Sequence, residues 1–228
     1  MRNLRRDIVS LALIVTAFAF SAALYPRLPE RLPTHWNIHG QPDGFTGKPW
    51  GPFLLPLVMT GLYLLLLLLP RISPKGYRFE SFRGVWEIVR TGILAFLFFV
   101  HILVLLSATG VRVEMDRAIP VGVGLLLVLL GNYLGKTTKN FFLGIRTPWT
   151  LASDEVWLRT HRLGGKLFVL AGLVCFVSGL AGGSLAPAMA AVGAAALASV
   201  VYSYVVYRRI EGFKDTEPPV TSGGPPGS

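Results

Sequence analysis

The stretch that decides the fold is PFLLPLVMTGLYLLLLLL, residues 52–69, in which no position carries Asp, Glu, Lys or Arg. A helix needs about 20 apolar residues to cross the hydrocarbon core of a bilayer. Five further runs without a charged residue accompany it, at residues 8–24, 91–108, 119–134, 167–181 and 185–207. The runs are continuously apolar rather than alternating, so they predict helices and not the strands of a barrel. The sequence therefore predicts an all-α integral membrane protein, a six-transmembrane-helix bundle.

The overall composition agrees with a membrane protein. Of the 228 residues, 52% are hydrophobic and 15% are charged, whereas an average soluble domain has roughly 25% charged residues. This composition argues against a soluble globular enzyme. The one cysteine, Cys175, excludes an internal disulfide and a cysteine zinc site. The first apolar run follows three arginines, as in a signal peptide, but its 17 residues exceed the usual span of about 7–15, so we expect it to be retained.

The positive charges are distributed unevenly between the two sides of the predicted bundle. If the N-terminus is cytoplasmic, 17 of the 22 Lys and Arg residues lie in cytoplasmic parts and five lie in outer loops. Cytoplasmic loops of membrane proteins carry an excess of Lys and Arg, so the sequence predicts that both termini are cytoplasmic. The net charge of +10 then serves orientation and contact with anionic lipid, and direct nucleic-acid binding is not expected.

The hydrophilic segments divide the chain into three predicted parts. Residues 1–70 form an N-terminal two-helix module with an extracytoplasmic loop at residues 25–51, and residues 71–214 form a four-helix region with a cytoplasmic loop at residues 135–166. Residues 215–228 are mostly Pro, Gly, Ser and Thr, a composition that predicts a disordered tail.

Two features near the C-terminus concern helix packing. The outer turn Gly182–Ser184 is so short that the fifth and sixth helices should form a tight hairpin. The segment Ala188–Ala198 is nearly all Ala and Gly, and small residues let helices approach closely in a membrane. We expect this segment to pack within the bundle.

The outer loop contains LPERLPTHWNIHGQPDGFTGK, residues 28–48. Pro42–Gly44 predicts a turn, since Pro presets φ and Gly accepts a positive φ, and we therefore expect a folded cap. His35 and His39 are four residues apart, as zinc ligands on a helix would be, but Gly40 interrupts a helix. No metal site is therefore predicted.

Several polar and aromatic residues of this loop are candidates for function. The alternative is that the histidines and Asn37 only bond loop backbone, with Trp36 anchored among lipid headgroups. The pattern L-P-x-x-x-P-x-H-W-N-x-x-G-x-P-D-G-x-x-x-K resembles the N-terminal module of unknown function that precedes the SdpI region in many bacterial membrane proteins. The candidate residues of the outer loop are His35, Trp36, Asn37, Gly40, Asp43, Gly44 and Lys48.

The long inner loop contains a second specified segment, NFFLGIRTPWTLASDEVW at residues 140–157. Ser153 is a good helix N-cap, and a short helix is predicted from about Asp154 to Leu163, before two glycines. Trp157 and His161 are four residues apart and should share one helix face. We expect this face to be directed toward the cytoplasmic surface.

Arg146 is the residue of this loop with the widest choice of partners. It could clamp a lipid phosphate, pair with Asp154 or stack on Trp149. Alternatively, Arg146 and Trp149 only anchor the loop at the membrane interface. Specific polar and aromatic residues in loops tend to mark sites of function. The candidate residues of the inner loop are Asn140, Gly144, Arg146, Thr147, Pro148, Trp149, Trp157 and His161.

The combination of Asn140, Gly144–Leu151, Trp157 and His161 resembles the signature of the SdpI family. The resemblance implies an integral membrane protein of immunity and signalling in the bacterial cell membrane. The best-known member of the family protects a toxin-producing bacterium from its own secreted peptide and holds a cytoplasmic repressor at the membrane. For this chain the resemblance therefore implies the lipid bilayer, a toxic peptide outside and a small repressor protein inside as partners, with no cofactor.

A second interpretation is a small membrane transporter or a lipid-processing enzyme. Its support is the pair of specified loops together with His101, an ionisable residue in the middle of the third apolar run. The two loops lie on opposite faces in the predicted topology and cannot form one hydrolytic site, and the sequence offers no nucleophile–base pair or acidic metal cluster. We therefore expect a non-enzymatic protein, in which a neutral His101 bonds a neighbouring helix.

Overall fold

The chain folds into a bundle of long helices with a small two-stranded sheet at one end. A computed structural model describes residues 4–37, 39–72, 79–182 and 185–212. Six of the described helices are long and apolar enough to cross a membrane, as the sequence predicts. The elements are α1 Leu4–Leu24, β1 Arg31–Trp36, β2 Pro42–Gly47, α2 Gly51–Leu68, α3 Arg83–Ala108, α4 Met115–Leu134, α5 Pro148–Ala152, α6 Asp154–Ala181 and α7 Leu185–Ile210. Most of the predicted turn at residues 182–184 and the predicted tail lie outside the described residues.

The expectation of an all-α chain is wrong for the segment between α1 and α2. β1 and β2 pair antiparallel, with His35 opposite Gly44 and Trp36 opposite Pro42. The chain reverses between Trp36 and Pro42, so the turn predicted at Pro42 to Gly44 is wrong and those residues begin β2. Proline is tolerated at the first residue of a strand and glycine at an irregularity, and the strand pairing is irregular on both sides of His35.

α6 is longer than the sequence predicts. The predicted helix end at Gly164 and Gly165 is wrong, because α6 continues without a break from Asp154 to Ala181. Inside a bilayer the backbone groups freed by a broken helix find no water to bond, so the helix continues through both glycines. The connection between α4 and α6 is therefore shorter than residues 135–166, and it contains the short helix α5.

α3 begins before the third apolar run, and it carries a buried charge. Arg90, which directly precedes the apolar run at residues 91–108, lies inside α3. Its Nη2 donates to Asp7 Oδ1 of α1 at 2.5 Å, and the two side chains are 4% and 3% exposed. The guanidinium also lies over the ring of Tyr63 of α2, 5.1 Å from the centroid. A buried charge is costly unless it is paired, so this pair fixes how α1, α2 and α3 meet.

The helices pack as two groups that share one seam. α1, α2 and α3 contact one another, α4, α6 and α7 contact one another, and α3 against α4 joins the groups. The buried core of the first group consists of Ile14, Ala17, Met59, Tyr63 and Leu94. We call the end of the bundle that carries β1 and β2 the hairpin end, and the end that carries residues 135–153 the motif end.

Glycines set the distance between α4 and α6. A Cβ on Gly124 would lie 2.6 Å from the carbonyl oxygen of Gly172, and one on Gly131 would lie 2.6 Å from that of Gly165. The glycines of each helix are seven residues apart, so they recur on one face. In α7, by contrast, a Cβ on Gly193 would meet nothing within 4 Å. The backbone-to-backbone contact of the second helix group is therefore made by α4 and α6.

Candidate functional site

Residues 135–153, here called the motif loop, connect α4 to α6 and include α5. Asn140 organises the loop through its buried side-chain amide. The amide donates to the carbonyl oxygens of Thr138 and Leu143, each at 2.9 Å. It accepts from the backbone N–H groups of Phe142 at 2.9 Å and Leu143 at 2.7 Å. Asn140 thus uses both its donor and its acceptor groups within one short turn of chain.

Gly144 brings the loop onto the side chains of α6. Its φ is +127°, which glycine tolerates, and a Cβ there would lie 2.2 Å from His161 Nε2. His161 Nδ1 donates to the carbonyl oxygen of Trp157 at 2.8 Å, and its Nε2 accepts the N–H of Ile145 at 2.9 Å. A carbonyl only accepts and a backbone N–H only donates, so His161 is the neutral tautomer with hydrogen on Nδ1.

The prediction that Trp157 and His161 face the cytoplasmic surface is wrong. They share one face, but they are 2% and 0% exposed. Their rings stack with centroids 3.9 Å apart, and Trp157 Nε1 donates to the carbonyl oxygen of Thr137 at 3.0 Å. The loop folds back over this face of α6 and covers both rings. The two residues therefore hold the loop in place.

The second half of the motif loop is attached to α7. Thr147 caps α5 through reciprocal hydrogen bonds with the residue three positions on, and Pro148 occupies the first helical position, where no N–H is needed. Thr147 Oγ1 lies 3.0 Å from Ser203 Oγ. The ring of Trp149 packs edge-on against Tyr204, with centroids 5.1 Å apart. The loop thus bridges α6 and α7.

Neither of the protein partners predicted for Arg146 is found. Its guanidinium donates to the carbonyl oxygen of Phe141. Asp154 instead pairs with Lys139 at 2.8 Å, and Trp149 packs against α7. The loop closes on itself here, because the backbone of Phe141 comes within reach of the guanidinium.

The exposed residues of the motif loop differ in role from the buried ones. Arg146, Phe141 and Pro148 are exposed, and we call these three residues the loop edge. The buried candidates are Asn140, Thr147, Trp157 and His161. Four of the eight predicted inner-loop residues are therefore buried, whereas the loop edge is accessible to a partner.

Sequence reasoning missed the residues of other helices that receive the loop. Besides Ser203 and Tyr204 of α7, Trp86 of α3 contacts it, with its ring 6.2 Å from that of Phe142. The available signal was the hydroxyl of Ser203 inside the apolar run at residues 185–207, since a polar group in a membrane helix needs a partner.

At the hairpin end, Asn37 forms the turn between the strands. Its Oδ1 accepts the backbone N–H groups of His39 at 2.9 Å and Gln41 at 3.1 Å. Gly40 has a φ of +70°, a conformation that favours glycine. Asn37 and Gly40 therefore serve the turn itself.

The strands of the hairpin are also linked through side chains. His35 Nδ1 pairs with Asp43 Oδ1, and a Cβ on Gly44 would press on the Cβ of His35 at 2.8 Å. His39 is exposed and makes no part of this pair. In the part of the chain that the structure describes, no three His, Cys, Asp or Glu side chains are grouped to hold a metal.

The base of the hairpin is fastened to the bundle by apolar contacts. Leu28 and Leu32 are 4% and 0% exposed and pack with Leu105 of α3. Lys48 Nζ lies over the ring of Tyr25, 5.2 Å from its centroid. These contacts hold the hairpin as a folded cap on the ends of the helices.

A cavity of about 1010 Å³ lies between this cap and the helices. Residues of α2, α3, α4 and α7 line it, so it occupies the space where the two helix groups diverge. Trp36 and Asn37 line it from the hairpin, and both are half-buried. Cavities of about 300–1,000 Å³ are typical ligand sites.

His101 lies on the wall of this cavity and joins three helices. Its Nε2 lies 3.1 Å from the carbonyl oxygen of Ala17 and 3.2 Å from Ser21 Oγ. Ser21 donates in turn to the carbonyl oxygen of Pro52 at 2.6 Å. That oxygen lacks its helical donor because Pro56, four residues on, has no N–H. His101 thus bonds a neighbouring helix, as predicted.

Known proteins match both parts of the chain that contain these features. The model of a domain of unknown function (DUF1648) matches residues 12–60, and the model of the SdpI/YfhL protein family matches residues 136–203. Immunity protein SdpI of Bacillus subtilis (strain 168) is 28% identical over 211 residues, which are 92% of this chain and 99% of that protein. No solved structure matches. The chain is therefore similar to the SdpI/YfhL family over residues 136–203 and to the DUF1648 domain over residues 12–60.

Proposed function

We propose that this chain is a membrane immunity and signalling protein of the SdpI type, which protects a bacterium against an extracellular toxic peptide. The observation that carries the proposal is the match to immunity protein SdpI over 92% of this chain and 99% of that protein. An aligned stretch of 211 residues in a chain of 228 must include both the hairpin and the motif loop. The likeness therefore extends to both ends of the bundle.

The proposal includes an orientation in the membrane. Both termini and the motif end lie in the cytoplasm, and the hairpin end lies outside. The support is the distribution of Lys and Arg, of which 17 of 22 fall on the cytoplasmic side in this orientation. The hairpin and its cavity are then available to an extracellular peptide.

The loop edge is the proposed contact for a small cytoplasmic repressor. It combines an exposed aromatic ring, an arginine and a proline at Phe141, Arg146 and Pro148. Arginine is enriched among residues that dominate protein interfaces. The guanidinium has five N–H donors, so donors remain for a carboxylate after its bond to the carbonyl oxygen of Phe141.

We also propose that the protein acts without catalysis. Both ring nitrogens of His161 are engaged with backbone groups, and Nε2 of His101 is engaged with Ala17 and Ser21. A general base needs a free nitrogen within reach of substrate. These contacts support structural roles for both buried histidines.

Survival under toxin challenge tests the proposed immunity. Cells of a toxin-sensitive strain that express the chain should survive the secreted toxic peptide better than cells with an empty vector. The membrane content of the protein is measured in the same cultures. Equal survival with and without the chain would contradict the proposal.

Replacement of Arg146 tests the loop edge. Arg146→Lys should reduce survival under toxin challenge, or reduce expression of a reporter that the repressor controls. Lysine keeps the charge but loses the planar fork. Arg159→Lys is a matched control, since Arg159 is also an exposed arginine and pairs with Glu155 on its own helix. If Arg146→Lys behaves like the wild type at matched membrane levels, the loop edge has no such role.

A further inference from the structure

The cavity beneath the hairpin has a mostly apolar wall. Leu54 and Leu55 of α2, Val104 of α3, Ile119 of α4 and Met189 of α7 line it. Ligand cavities are typically apolar with a few polar groups that set orientation. The volume of about 1010 Å³ suits a bulky apolar segment rather than an ion.

Asp116 supplies the one formal charge among the described residues that line this cavity. It lies in the first turn of α4 and against the turn of the hairpin, so that a Cβ on Gly40 would be 3.1 Å from Asp116 Oδ1. Among the described residues its carboxylate has no hydrogen-bond or ion-pair partner, and the adjacent Arg117 is paired with Glu114 at 3.1 Å. The rim of an apolar cavity thus presents a carboxylate that is available to a cation.

We infer that this cavity binds the apolar segment of a peptide, and that Asp116 pairs with a cationic group of the same peptide. The cationic group is a lysine side chain or a terminal ammonium. The inference rests on the proposed function, since immunity to a toxic peptide is what makes a peptide the ligand. Trp36, which lines the cavity from the hairpin, then lies against the bound segment.

Charge complementarity favours a cationic peptide over an anionic phospholipid. The walls belong to membrane-spanning helices, so a lipid is the main competing occupant. Its phosphate would need a cation, whereas no Lys or Arg lines the cavity among the described residues. The phosphate would also approach Asp116, and like charges brought together are unfavourable.

Fluorescence quenching of Trp36 measures occupancy of the cavity. The full chain in phosphatidylcholine nanodiscs is titrated with a brominated leucine–alanine peptide that carries one lysine, and with the same peptide carrying norleucine instead. The lysine peptide should quench the wild type to saturation. Trp36→Phe gives the background from the other tryptophans. The norleucine peptide should bind roughly two- to fivefold more weakly, the range for loss of an exposed ion pair.

Two pairs of variants separate the charge from the cavity. Asp116→Asn should weaken the lysine peptide roughly two- to fivefold and remove the difference between the two peptides. Glu30→Gln is its control, because Glu30 is an exposed carboxylate at the hairpin end and does not line the cavity. Ala186→Phe places a ring in the cavity and should abolish saturable quenching. Ala190→Phe, at an exposed position of the same helix outside the cavity, should leave quenching unchanged.

Three results overturn the inference. The first is quenching that does not saturate, and the second is equal binding of both peptides to the wild type. The third is that the chain no longer binds the peptide in nanodiscs that contain phosphatidylethanolamine and that this lipid stays bound to the chain on purification. The occupant of the cavity would then be a lipid.

The survival assay distinguishes this inference from the proposed function. A wild-type chain that gives no survival advantage contradicts immunity. A wild-type chain that protects, with Asp116→Asn and Ala186→Phe protecting equally well, contradicts only the peptide site.

Discussion

At the residue scale, His161 and Arg146 show that one sequence motif contains two kinds of residue. His161 is buried and accepts the N–H of Ile145, whereas Arg146 is exposed at the loop edge. Substitution at the first position should therefore change folding, and substitution at the second should change only what the loop binds. Stability measurements can separate these effects without knowledge of the partner.

His161→Phe should lower the stability of the folded protein. The ring fills similar space but leaves the N–H of Ile145 without an acceptor, which costs about 1–3 kcal/mol. Thermal unfolding in detergent should show a lower midpoint for His161→Phe, and a midpoint near that of the wild type for Arg146→Lys. Equal midpoints for all three proteins would contradict the structural role of His161.

Asp7→Leu should destabilise the protein more strongly. It removes the ion-pair partner of the buried Arg90 guanidinium, and breaking a buried pair costs about 3–5 kcal/mol. The double variant Asp7→Leu, Arg90→Met should be more stable than Asp7→Leu alone, because both charges are removed. Glu155→Gln, which breaks an exposed pair with Arg159, is the control and should cost under about 1 kcal/mol. A double variant that is no more stable than Asp7→Leu would argue against the pair.

At the scale of elements, the close glycine contact between α4 and α6 predicts that an added methyl group will destabilise the protein. A Cβ on Gly172 would lie 2.7 Å from the carbonyl oxygen of Gly124, so Gly172→Ala must push the two helices apart and should lower the unfolding midpoint. Gly193→Ala, where space is open, should instead stabilise α7 by roughly 0.5–1 kcal/mol. Both midpoints are measured in the same detergent. A Gly172→Ala protein as stable as Gly193→Ala would contradict the close contact.

The same elements show how far the sequence could predict the fold. Apolar length identified the six long helices, because a bilayer imposes one length on every span. Local turn signals gave wrong predictions where a contact with a residue distant in the sequence determines the backbone conformation. Gly44 lies in a strand beneath His35, and Gly165 lies in a helix against Gly131.

The candidate site could be predicted only in part for the same reason. The spacing of Trp157 and His161 correctly places them on one face. Their burial depends on the loop folding back at Gly144, and on receiving side chains such as Ser203 from another helix. No local pattern contains that information.

At the scale of the whole molecule, the proposed orientation predicts which end of the bundle is accessible from outside. In a Cys175→Ser background, Thr46→Cys of β2 should react with a membrane-impermeant thiol reagent in intact cells. Thr138→Cys of the motif loop should react only after permeabilisation. The expectation follows from the excess of Lys and Arg at the motif end. The reverse pattern of labelling would contradict the orientation.

The seam between the two helix groups also bears on how the chain is synthesised. α1, α2 and α3 leave the ribosome before α4, and their principal contacts are with one another. Asp7 is therefore already in place when Arg90 enters the bilayer, and the arginine does not wait for a later helix to neutralise it. α4, α6 and α7 then supply most of one another's contacts. Assembly can thus follow the order of translation, first group before second.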